Sequence, residues 1–138
     1  MTYTDALKKF GLPALPSDRD EIRRLLVEET QRERDGCAGE EMLRTLCLQL
    51  FSLGTVEDSI LIWEAKESSF DANCGLDVQF LCGAGLLATK EFLAGSANPS
   101  AADALAYLLK GEKSGDFADW SPQKCLADYQ RYYGLTAG

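Results

Sequence analysis

The chain has 138 residues, 46% of them hydrophobic and 26% charged, with 14 Lys and Arg against 22 Asp and Glu, a formal net charge of −8. That length suits one domain, and the apolar content is too high for a disordered chain. The acidity argues against nucleic acid or an anionic membrane as partner, and the absence of His removes the commonest catalytic base and metal ligand.

A short helix over residues 4–10 is expected to close at Gly11, and the following Leu12-Pro13-Ala14-Leu15-Pro16 forces extended backbone. Ser17 is placed to cap a second helix to about Arg34, with Ile22, Leu25 and Leu26 at helical spacing. Asp35 and Gly36 end it. The next helix runs over about 39–53, with Met42, Leu43, Leu46, Cys47 and Leu50 on one face and Gly54 as its stop.

Thr55 with Asp58 three residues on resembles a capping box and opens a helix expected to reach about Phe70. Asn73 or Asp77 starts another over 78–93, ended by Gly95. Asn98-Pro99 and Ser121-Pro122 are cap-plus-first-turn-proline signals for the last two helices, to about Lys110 and Tyr133. Between them residues 116–120 read as a single turn whose Phe117 and Trp120 plug one end of the core.

The fold expected is therefore all-α, a single domain over residues 1–138 with five to seven helices in antiparallel pairs. Helix starts near 17, 55 and 99 resemble the repeat length of HEAT-type hairpins, so the pairs form either a HEAT-like short solenoid or an irregular helical bundle.

Several motifs look chemical. Gly83-Ala84-Gly85-Leu86-Leu87-Ala88 fits the dinucleotide pattern, but the acidic residue required about 20 positions on would be Asp103, inside an Ala-rich helical stretch. Close approach of another helix explains the two glycines better. Ser121-Pro122-Gln123-Lys124 matches S-x-x-K by coincidence, since its partner elements are missing or reversed. The five cysteines are odd in number and lack any C-x-x-C, and with no His a metal site is not expected. Residues 1–16 hold no apolar run of signal-peptide length and no stretch is long enough to span a membrane, so a cytoplasmic location is expected, with no membrane partner. No catalytic residue and no cofactor is assigned.

The charge is uneven. Residues 37–95 carry three basic and nine acidic side chains, while each flank is balanced to within one charge. Part of this is local, because Glu40, Glu41, Glu57, Asp58 and Asp77 fall in first helical turns, where the helix dipole favours anions. Wound at about 100° per residue, residues 55–71 place Val56, Ser59, Ile60, Trp63 and Phe70 on a core face. Glu57, Glu64, Ser68 and Asp71 fall on the opposite side with Leu61 among them. An exposed Leu framed by carboxylates suits a basic protein partner, although a solvated face with Leu61 covered by a neighbouring helix gives the same pattern.

The run from Leu61-Ile62-Trp63-Glu64-Ala65-Lys66 through Ser69-Phe70-Asp71 to Cys74-Gly75-Leu76-Asp77-Val78-Gln79 resembles small uncharacterised bacterial helical proteins, some of them encoded beside toxin genes. The resemblance covers residues 57–93 and implies no site residue. The leading expectation is a non-enzymatic protein-binding domain with an acidic central face (Glu57, Leu61, Glu64, Ser68, Asp71) for a basic partner, such as an immunity protein neutralising a toxin. The alternatives are a small-molecule site built from Trp63, Gln79, Gly83 and Gly85, and a small carboxylate-dependent enzyme.

Overall fold

A computed structural model describes residues 1–37 and 39–135, and the Glu40 side chain, one of the expected first-turn carboxylates, lies outside the described set. The described residues form eight α-helices and no strand. They are α1 (Tyr3–Phe10), α2 (Arg19–Arg34), α3 (Glu40–Leu53), α4 (Ser59–Lys66), α5 (Phe70–Gly75), α6 (Leu86–Gly95), α7 (Pro99–Lys113) and α8 (Pro122–Tyr132). Single 3₁₀ turns at Pro16–Asp18, Val56–Asp58 and Val78–Cys82 link some of them. The all-α expectation holds, but the count exceeds five to seven. No described helix is long and apolar enough to cross a membrane.

The helices differ from those expected at two breaks that apolar spacing does not reveal, the first of which adds a helix. The helix expected over 55–70 stops at Lys66. There Ser68 turns its hydroxyl back to the Ala65 carbonyl at 2.6 Å, and Ser69 accepts from the Ala72 amide at 2.9 Å, capping a new helix. Phe70, expected in the core, starts that helix and is 82% exposed. The segment expected as one helix over 78–93 is a 3₁₀ turn followed by α6, separated at Gly85, whose φ of +99° an L side chain rarely adopts.

Gly83 shows why no side chain fits beside that break. A Cβ placed on it would stand 2.4 Å from the Phe51 carbonyl oxygen. Gly83 therefore serves close packing against α3, whereas Gly85, with nothing within 4 Å of its missing Cβ, is required by its positive φ; no strand among the described residues precedes them as a dinucleotide fold would require.

α3 is the central post. Leu43, Thr45, Leu46, Cys47, Leu48, Gln49 and Leu50 are each at most 1% exposed, so the helix is buried all round rather than on the one face expected. It packs against α1, α2, α4, α5 and α8. The buried Gln49 amide donates to the Ala6 and Gly11 carbonyls at 3.0 Å each, tying the end of α1 to α3.

The C-terminal helix closes on this N-terminal group. Gln130 donates to the Leu12 carbonyl at 3.0 Å, and the hydroxyls of Thr45 and Tyr133 lie 2.8 Å apart. In an open solenoid the last repeat touches only its neighbour. Here α8 returns to α3, so the HEAT-like stacking is not confirmed.

Asp58 does not cap a helix as expected. It is 1% exposed and takes two 2.9 Å hydrogen bonds from the Arg19 guanidinium, with Arg23 Nε at 3.4 Å. Burying a carboxylate demands such partners, and this one fixes α2 against the start of α4.

Candidate functional site

Residues 75–79, the turn over 114–120 and α8 surround a cleft of about 680 Å³. Its walls are partly aromatic. Trp120 is set edge-on against Phe117 (5.2 Å between ring centroids) and Phe51 (6.3 Å), while Tyr129 meets Phe80 at 5.3 Å and Tyr132 at 5.9 Å. These T-shaped contacts brace Trp120 and Tyr129, which are half-buried at the cleft, while Tyr132 is exposed.

Four carboxylates line it: Asp77, Asp116, Asp119 and Asp128. The Tyr129 hydroxyl donates to Asp77 Oδ2 at 3.1 Å, and burial beside this carboxylate pushes the phenol up, so it stays a donor at neutral pH. Gln79 donates to the Asp116 carbonyl at 2.9 Å, joining the two sides. Asp119 has a φ of +53°, a left-handed conformation that Asp tolerates better than most residues.

The turn carrying Asp77 is held by two cations. Lys66, only 3% exposed, donates to the carbonyls of Asn73 and Leu76 at the end of α5, with the Tyr107 ring 5.2 Å from its ammonium. Arg44, from α3, donates to the Gly75 carbonyl at 3.0 Å. Carbonyls at a helix C-terminus attract positive charge, so both cations are well placed. Burial pulls the Lys66 amine below its ordinary value, and Asp77 partly opposes this.

The cations bordering the cleft bypass three of its carboxylates. Arg44 pairs with Glu41 at 2.7 Å, and Lys124 donates to the Asp119 backbone carbonyl at 3.1 Å. Asp128 is paired with Arg131. Among the described residues no cation lies within 4 Å of the Asp77, Asp116 or Asp119 carboxylates. Nor do three or more acidic or thiol groups converge as metal ligands would. Cys125 also borders the cleft, but burial pushes its thiol up to about 11, so it is not a thiolate at neutral pH.

The residues expected to bind are distributed differently. Glu57 and Asp71 are exposed, Glu64 is half-buried, and Ser68 is buried, bonded to Ala65. Leu61 is half-buried and shares a small recess with Leu26, Val27 and Thr30 of α2, so a neighbouring helix covers part of it. The acidic stripe with Leu61 at its centre is thus not continuous. Of the expected pocket residues only Gln79 lines the cleft. Trp63 is 2% exposed against Tyr107, Gly83 packs on Phe51, and Gly85 opens α6.

Sequence reasoning missed Trp120, Tyr129, Tyr132, Asp116 and Asp119. The available signals were the turn at 116–120 and the i, i+3 pair of tyrosines in α8, both in the nearly neutral last third of the chain. Comparison with protein-family models, curated proteins and solved structures found no match. The chemistry of the cleft is therefore what speaks to its role.

Proposed function

We propose that the chain is a non-enzymatic protein-binding domain whose cleft receives a basic segment of a partner protein. One observation carries this reading: Asp77, Asp116 and Asp119 surround an aromatic-walled cleft and have no cation of their own within 4 Å. A partner's basic side chains would supply the missing charge, and half-buried Trp and Tyr rings are the residue types that dominate binding energy at interfaces. The net charge of −8 would speed encounter with such a partner over long range.

The acidic face expected from the sequence contributes to the same reading. Glu57, Glu64 and Asp71 add to the attracting field, and Phe70 takes the part expected of Leu61. It is 82% exposed and stands one short helix, about 9 Å, from the turn that carries Asp77. The resemblance of residues 57–93 to proteins encoded beside toxin genes makes a basic toxin the first partner to try. A cytoplasmic location suits the five free thiols.

The test is direct binding of the protein encoded beside this chain's gene. Affinity is expected to fall as salt rises and to be lost in the double charge reversal Asp116→Lys, Asp119→Lys. Binding indifferent to both overturns the reading.

A further inference from the structure

We infer that the group seated in the cleft is an arginine guanidinium rather than a lysine ammonium. This rests on the proposed basic partner and names the chemistry of its anchoring side chain.

Three features of the cleft carry it. First, its carboxylates are spread over separate elements: Asp77 before the 78–82 turn, Asp116 and Asp119 in the 114–120 turn. They do not converge as metal ligands do. A single point cation would satisfy one of them. A guanidinium offers five N–H donors in a planar fork and can bridge acceptors on two walls.

Second, the rings that border the cleft are fixed. Trp120 is braced by Phe117 and Phe51, and Tyr129 by Phe80, so aromatic surface is presented without loss of side-chain freedom on binding. Guanidinium planes stack on such rings, and they shed water more readily than an ammonium does.

Third, the cleft's own lysine forms no ion pair with these carboxylates. Lys124 reaches the backbone carbonyl of Asp119 instead. Tyr129 donates to one oxygen of Asp77, and among the described residues no side chain donates to the other. The volume, about 680 Å³, exceeds one side chain and admits the short loop that would present it.

The test compares octa-arginine and octa-lysine, which carry equal charge, by calorimetric titration at low and high salt. Both are expected to bind with affinity that falls as salt rises, octa-arginine at least about tenfold tighter. Asp77→Asn and Asp116→Asn, both at exposed positions, are expected to bring octa-arginine down to the level of octa-lysine, while Glu91→Lys on α6 leaves the preference intact. In parallel, N-acetyl-arginine amide is expected to shift the Trp120 indole N–H resonance saturably, and N-acetyl-lysine amide to shift it less. Equal peptide affinities, or an arginine preference that survives both Asn variants, overturn the guanidinium assignment and leave the basic-partner reading standing. Failure of both peptides to bind overturns the two together.

Discussion

Replacing Gly83 by Ala tests the packing that shapes the centre of the molecule. The new Cβ would lie 2.4 Å from the Phe51 carbonyl oxygen and 3.1 Å from that residue's carbonyl carbon and Cα. All three are backbone atoms of the central helix, so no flexible side chain can yield, and either α3 or the 78–85 segment must move. Overpacking of this kind costs about 1–3 kcal/mol. Gly83 has φ −58° and ψ −29°, which Ala adopts freely, so the reduced entropy of the unfolded chain returns about 0.4–1 kcal/mol. The net expectation is a loss of about 1–2 kcal/mol, or a melting temperature about 3–7 °C lower for a chain of this size. Thermal melts by circular dichroism measure it, with Gly95→Ala as the control. Gly95 ends α6 with no atom within 4 Å of its missing Cβ, so that variant is expected to melt at or above the parent temperature. If Gly83→Ala melts as high as Gly95→Ala, close packing is not what excludes a side chain there. Gly83 would then require another explanation.

Three further outcomes follow from burial. Phe70→Ser is expected to change stability by no more than about 0.5 kcal/mol in urea unfolding, because the ring is 82% exposed; a core position would lose about 3–5 kcal/mol, and a loss of that size refutes the exposed placement. The thiols of Cys47, Cys82 and Cys125 are all raised by burial, Cys82 to about 12 and Cys125 to about 11, from an ordinary value of 9.0. Above pH 9 the unfolded chain loses these protons while the folded chain keeps them, so stability falls as pH rises through 9 toward 11. The three together remove about 4 kcal/mol by pH 10, with half-buried Tyr129 and Tyr133 adding to the loss at higher pH and Lys66, shifted the other way, opposing it. Urea midpoints from pH 8 to 10.5 check this, and a midpoint unchanged at pH 10 refutes it. In the native state a thiol reagent is expected to label only Cys37 and Cys74, the two exposed cysteines.

Several helix ends were legible because their causes are local. Asn98 and Ser121 each cap a helix that begins with proline, accepting from Ser100 and Lys124 amides at 2.9 and 3.1 Å. Gly54 takes the left-handed conformation that stops α3. The capping box present is Thr2 with Asp5, where both reciprocal bonds form; the Thr55 and Asp58 pair has the same spacing and does not cap, because Asp58 turns to Arg19 and Arg23. Residues of the same types, equally spaced, thus behave differently according to what packs opposite them.

The candidate site was legible only in fragments. Asp77 stood out as a helix start and Gln79 as a pocket residue, and Phe117 and Trp120 were expected to meet the core, against which both pack. Nothing in the chain order joined the two. The stripe on residues 55–71 assumed one unbroken helix, and the serine pair at 68 and 69 breaks its phase before Phe70.

The sequence by itself determined that the chain is helical, because apolar spacing, proline-led caps and terminal glycines act within one or two turns. It also determined the negative charge, which tertiary structure cannot alter. Only the tertiary structure decided where that charge meets aromatic surface. Asp77, Asp116, Trp120 and Tyr129 are brought to one cleft because α8 folds back onto α3, and Asp77 and Tyr129, 52 positions apart, become hydrogen-bond partners there. Helical periodicity reports a residue's environment over a few neighbours. A site assembled across the whole chain depends on which helices pack together, and that is set by the summed burial of the core.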